Sequence, residues 1–188
     1  MKKASISALA IGLLMSAFII QSCNKDDNPP VTPQLTLYDS LGGTTMVTDP
    51  ANSSEKIEQG RLTIRSVVDS AIFVIAADTR INKYFTVLLA EVTAGDLSGF
   101  QALSKNLTDF VAVGTGAKNY TYTGLSMQAT HDPAQNPRMD GKADNADFDA
   151  FEEDLVAGAG KNGIMADNPA LKSLANLVES LRGTVVQR

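Results

Sequence analysis

His131 is the only histidine in 188 residues, and it closes the run Tyr122-Thr123-Gly124-Leu125-Ser126-Met127-Gln128-Ala129-Thr130-His131. One imidazole excludes a His-rich metal cluster and a two-histidine relay. It suffices for a haem iron, which needs a single proximal imidazole from the protein. Cys23 is the only cysteine, so an internal disulfide is excluded. The carboxylate-rich run from Asp140 to Asp147 invites a calcium loop. Asn145 stands where that loop needs glycine, however, and Phe151 where it needs glutamate. A solvated helix start, with acidic residues near its positive end, accounts for the run better. Gly114-Thr115-Gly116-Ala117-Lys118 lacks the length and the preceding strand of a phosphate loop. A Ser/His/Asp or Cys/His set exists only if His131 is forced into it.

The N-terminal segment gives an address. Lys2 and Lys3 precede the apolar run Ala4 to Ile20, and Gln21-Ser22-Cys23 closes it as a secretory signal would. A transmembrane helix competes on length, but a small residue before cysteine and polar sequence after it favour cleavage. The segment resembles a bacterial lipoprotein signal. That resemblance implies export, removal of residues 1–22 and acylation of Cys23, with Gln21 departing from the small or β-branched residue usual at its place. Asn24-Lys25-Asp26-Asp27 resembles the tag of surface-displayed lipoproteins in Gram-negative bacteria. Residues 23–34 then form a lipidated, proline-containing tether, holding the chain to the outer membrane on its periplasmic or cell-surface face. Loss of residues 1–22 leaves 14 basic against 21 acidic side chains, a balance of −7. A mildly acidic chain without a basic run argues against nucleic acid as a partner.

From Leu35 onward the apolar period is helical. Ile64, Val67, Val68, Ala71, Ile72, Ile75 and Ala76 share one face. Phe100, Leu103, Leu107, Phe110 and Val111 share a second. Phe148, Phe151, Leu155, Val156 and Ala159 share a third, starting at a capping Asp144 and ending near Gly160 and Gly163. Leu171, Leu174, Ala175, Leu177, Val178, Leu181 and Val185 make the last, entered through Asn168-Pro169, with Lys172 and Glu179 on its solvated side. Residues 44–60 are polar and read as a loop or a weak extra helix. Residues 113–122 and 132–143 read as connectors, with Tyr120 and Tyr122 packing on a loop. The expected fold class is all-α.

Four separated pieces resemble the truncated haemoglobins, short bacterial globins with a two-over-two helical sandwich. Leu37-Tyr38-Asp39-Ser40-Leu41-Gly42-Gly43 is similar to the family's opening turn, and Ala77-Asp78-Thr79-Arg80-Ile81-Asn82-Lys83-Tyr84-Phe85 to the end of its second helix. Tyr122-Thr123-Gly124, Met127 and His131 resemble the approach to the proximal histidine. Leu177 to Gly183 is similar to the closing helix. Together they cover most of residues 35–187, so residues 35–188 are expected to form a globin-like, haem-binding domain.

The resemblance implies haem b (iron protoporphyrin IX) with His131 as the metal ligand. Phe85 falls where the family packs a phenylalanine on the haem, and Met127 lies one helical turn before the ligand. The implied cofactor-binding set is Phe85, Met127, Ile72, Asn106, Phe110 and Ala102. Ile72 replaces the tyrosine that many members turn toward bound dioxygen, Asn106 is the candidate distal amide, and Ala102 is a second distal position. Such a pocket gives oxygen little hydrogen-bond help. Residues 44–60 and the stretch holding Pro133 and Pro137 lengthen the family's connections. The implied partners are haem, a diatomic gas (oxygen or nitric oxide) and the bilayer through acylated Cys23. Any catalysis would be redox chemistry at the iron, such as nitric oxide dioxygenation, with an external donor of unknown identity. Two rival expectations stand beside this one: a haem-trafficking or haem-scavenging lipoprotein, and a haem-free globin-like interaction module.

Overall fold

Apolar residues spaced three and four apart give four long helices, and the whole fold is arranged around one of them. A computed structural model describes residues 34–188, and Gln34–Arg188 form one compact unit. The signal segment 1–22, Cys23 and the tether up to Pro33 lie outside the described residues. No helix among the described residues is long and apolar enough to cross a membrane.

In chain order the helices are α1 (Leu37–Ser40), α2 (Gln59–Ala77), α3 (Thr86–Thr93), α4 (Ser98–Gly114), α5 (Met127–Thr130), α6 (Asn145–Lys161), α7 (Pro169–Glu179) and α8 (Arg182–Val185). A 3-10 turn, Asn82–Phe85, joins α2 to α3. The α2 face predicted from spacing is buried from Ile64 to Ile75. It packs chiefly on α6 and then on α4, while α6 also meets α7. The pair α2/α4 thus lies over the pair α6/α7, as the two-over-two expectation requires. Ile64, Val67, Val68, Ala71 and Ile72 meet Val111, Ala112, Phe148, Leu155 and Ala159 in the main core, with Leu171, Leu174 and Val178 of α7 behind.

The ends of these helices follow from local chemistry. Asp144 and Asp147 form a reciprocal capping box at the start of α6. Asn168 accepts the Ala170 N–H and Pro169 takes the first position of α7. Gly163, at φ 75°, lets the chain leave α6. The last face is not one continuous helix. The chain breaks at Ser180, whose hydroxyl donates to the Leu177 carbonyl at 2.6 Å, before α8 resumes.

Residues 44–60 correct the sequence expectation. They form neither a loop nor an extra helix but an antiparallel hairpin, β1 (Met46–Asp49) with β2 (Asn52–Glu58). Only Asp49, Ile57 and Glu58 of the two strands are buried. A two-stranded ribbon exposed on both faces produces no apolar alternation to read. Tertiary bonds hold it instead. Arg65 grips Asp49 with both guanidinium nitrogens at 3.0 and 2.6 Å, and these bonds hold the Asp49 carboxyl down at about 2. At the far end Glu58 accepts from the Tyr38 hydroxyl and the Asn119 amide, both at 2.6 Å.

Gly158 marks the closest approach of α2 and α6. A β-carbon there would stand 2.7 Å from the Ala71 Cα and backbone N, atoms that cannot swing aside. Gly158→Ala should therefore force the helices apart and cost about 1–3 kcal/mol. Gly160→Ala, with nothing within 4 Å of the added carbon, should be neutral or slightly stabilising. Urea unfolding of both variants checks the pair.

Candidate functional site

His131 sits at the end of a single helical turn, and its geometry begins with the backbone. Ser126 opens α5 by accepting the Ala129 N–H at 3.2 Å. The His131 N–H reaches the carbonyl of Met127, four residues before it, at 3.3 Å, and His131 Nδ1 lies 2.8 Å from the same oxygen. A carbonyl only accepts, so Nδ1 carries the proton and Nε2 is left with its lone pair. Burial lowers the imidazole pKa and outweighs the opposing bond to Met127, which keeps the ring neutral. A neutral imidazole with Nδ1–H bound to backbone and Nε2 uncommitted is the form that ligates a metal.

That ring lies on the wall of a cavity of about 830 Å³. Every residue of the predicted cofactor-binding set is on the same wall: Ile72 from α2, Phe85 from the 3-10 turn, Ala102, Asn106 and Phe110 from α4, and Met127 from α5. The structure thus brings together all seven side chains, counting His131. Ile72 is buried, Phe85, Phe110 and Met127 are partly buried, and Ala102 and Asn106 are exposed. The size falls in the range of small-molecule and cofactor pockets, roughly 300–1,000 Å³, and the wall is mainly aliphatic and aromatic.

Sequence reasoning missed part of this wall. Leu88 and Leu89 line it from α3, a helix with no buried residue at all. Residues 87–92 are apolar save for Glu91, and Val87 and Val92 are exposed, so no periodicity separates an inner face. Tyr122 also reaches the wall. Its ring meets Phe110 edge-on at 5.3 Å and its hydroxyl donates to the Leu125 carbonyl at 2.6 Å, so packing is the right account of it.

Polar pins surround the cavity. Arg138, in the stretch after His131, holds Glu91 of α3 with bonds of 2.7 and 2.6 Å. Thr86 and Asp140 pair beside it. The Tyr84 hydroxyl donates to Asp147 at 2.6 Å, and Lys83 reaches the other oxygen at 3.1 Å. Burial by itself would raise the Asp147 carboxyl. Bonds from the Asp144 N–H, Tyr84 and Lys83 prevail and hold it well below the usual carboxylate range. Asp147 is therefore not the solvated helix-start residue the sequence suggested. It is buried and ties the Phe85 turn to α6. Among the described residues no cluster of carboxylates, cysteine or histidine is arranged to hold a metal ion.

No protein-family profile and no curated relative matches the chain. Solved structures do. Two variants of the truncated haemoglobin from Tetrahymena pyriformis, both in the Fe(III) form, superimpose with a TM-score of 0.57 at 21% identity. The match covers 82% of this chain and 100% of theirs. The domain therefore has the truncated-globin fold.

The burial of His131 has a measurable consequence. Between the ordinary histidine pKa and its lowered value, the unfolded chain binds a proton that the fold excludes. Stability is therefore full above the ordinary value and declines as pH falls below it. In an NMR titration the His131 Cε1 proton should show a midpoint below that of an unfolded reference peptide.

Proposed function

We propose that this domain is a haem-binding truncated globin, with His131 as the proximal ligand and a diatomic gas as its physiological ligand. One observation carries the reading: a neutral imidazole, with Nδ1 fastened to the Met127 carbonyl, stands on the wall of a large apolar cavity. The fit is chemical as well as spatial. A flat, largely apolar cofactor needs apolar walls and one nitrogen lone pair, and these residues offer both. Held there by His131, haem b would supply an iron able to bind oxygen or nitric oxide. The Fe(III) state of the matching Tetrahymena structures supports the same choice of cofactor.

The chain's own residues then divide the work. Met127 and His131 belong to one turn and make the proximal side. Phe85, fixed by the Tyr84–Asp147 bond next to it, closes the cavity from the 3-10 turn. The gas side falls to α2 and α4, which present Ile72, Ala102 and Asn106. Ile72 offers no donor, and Asn106 is exposed, so a bound gas with partial negative charge gains little hydrogen-bond stabilisation there. This favours ligands that need no such help, carbon monoxide and nitric oxide, over tight retention of oxygen.

The test is a haemin titration of the full chain followed by visible absorbance, beside His131→Ala. A saturable one-to-one Soret shift that the variant loses, with carbon monoxide taken up after reduction, is the expected result. A folded, helical protein with no specific haem spectrum would refute the reading and favour a globin scaffold put to another use.

We also propose that Cys23 is acylated and anchors this domain to the outer membrane. The support is the signal-like sequence before Cys23 and the tether after it. Cys23→Ala should move the protein from the membrane fraction to the soluble one; persistence in the membrane fraction would exclude the anchor.

A further inference from the structure

A helix of four residues ends almost as soon as it starts, so nearly all its carbonyls lack helical partners. In α5 those carbonyls can be followed one by one. Met127 O takes both the N–H and the Nδ1–H of His131. Ala129 O is approached by the Asp132 N–H at 3.4 Å. The other two are met by side chains from outside the turn. Asn136 Nδ2 donates to Thr130 O at 2.7 Å, and Gln187 Nε2 donates to Gln128 O at 2.8 Å.

Both donors are themselves fixed. The Asn136 side-chain oxygen, Oδ1, accepts the Arg138 N–H at 3.2 Å, which places its Nδ2 toward Thr130. Gln187 is held through its backbone, whose N–H donates to the Ala143 carbonyl at 3.0 Å beside the Ala143–Val186 bridge. Its amide therefore reaches α5 from a backbone that is itself anchored to a distant part of the chain. Asn136 also lines the cavity.

We propose that Asn136 and Gln187 are the positioning residues of His131. They cap the two carbonyls that nothing within α5 can satisfy, and so fix the turn whose Met127 carbonyl orients the imidazole. The inference rests on the haem-binding reading for its consequence, while the capping itself does not. Outer partners that orient a metal-ligating histidine typically affect metal affinity by 10–100-fold.

The experiment compares the full chain with Gln187→Met and Asn136→Asp, each of which keeps side-chain size and removes the donor. In the cofactor-free proteins, amide hydrogen exchange of residues 127–132 should quicken at least severalfold, with an unchanged urea midpoint. In the haemin-loaded proteins, transfer to a strong acceptor should accelerate by roughly tenfold or more, and the iron–histidine stretching band of the reduced form should shift. Unchanged exchange in both variants overturns the proposal, as does quickened exchange with an unmoved band and unmoved transfer rate. Gln187 is partly exposed and decides the matter alone if Asn136→Asp does not fold. If the parent chain takes up no haemin, the proposed function fails, and the exchange data still decide the capping.

Discussion

One hydrogen bond, from His131 Nδ1 to the Met127 carbonyl, sets what this domain can do. It selects the tautomer, aims the ring and leaves Nε2 as the nitrogen able to bind. Yet it sits at the end of a four-residue helix, which is too short to pay for its own nucleation. The turn persists because the rest of the chain surrounds it. Ser126 opens it, two outside amides close it, and α8 packs against it. The chemistry of one imidazole is therefore a property of the tertiary structure, since α5 has no independent stability.

A cavity of this size works against stability, because its lining atoms forgo the dispersion contacts that a filled core would make. The fold compensates in two places. Away from the histidine, α2 lies on α6 so closely that only a glycine at 158 fits against Ala71. Around the cavity, charged and phenolic pairs do what packing cannot: Arg138 with Glu91, Tyr84 with Asp147, Lys83 with Asp147. Each such pair contributes modestly where it meets solvent. Their placement matters more than their sum, for they join the stretch after His131 and the start of α6 to α3 and the Phe85 turn. Two elements with few buried residues of their own are held in this way.

How much of this was legible in the sequence depends on the range of the interaction concerned. Helices α2, α4, α6 and α7 each carry an apolar face repeated over two or more turns, and Asp144 and Asn168-Pro169 announce their starts locally. His131 could be singled out because its spacing from Met127 and Tyr122-Thr123-Gly124 is itself local. The hairpin escaped because its strands have no buried face, and α3 because its residues 87–92 are apolar save for Glu91 and show no alternation of faces. The break at Ser180 falls within an otherwise regular apolar pattern and so left no mark in it. Asn136 and Gln187 were beyond reach for another reason. An amide declares no partner in sequence, and Gln187 finds Gln128 only after 59 residues of chain have folded back.

The likeness to the Tetrahymena structures at 21% identity follows from what the fold requires. Packing of α2 on α6 needs apolar volume at helical spacing and one small residue at the crossing, conditions that many sequences meet. A single-imidazole site adds only one nitrogen held to one carbonyl. Much of the remaining wall is shared with the main core, so only its exposed positions, such as Ala102 and Asn106, are free to vary without cost to the scaffold. Ile72 shows the consequence. It is buried in the main core as well as exposed to the cavity, so it serves packing whichever ligand is bound. A tyrosine there would add a donor to the cavity wall, but would also bring a hydroxyl into an apolar core that must then satisfy it. The aliphatic residue at 72 thus follows from the demands of the core, and the lack of a hydrogen-bond donor on that part of the cavity wall comes with it.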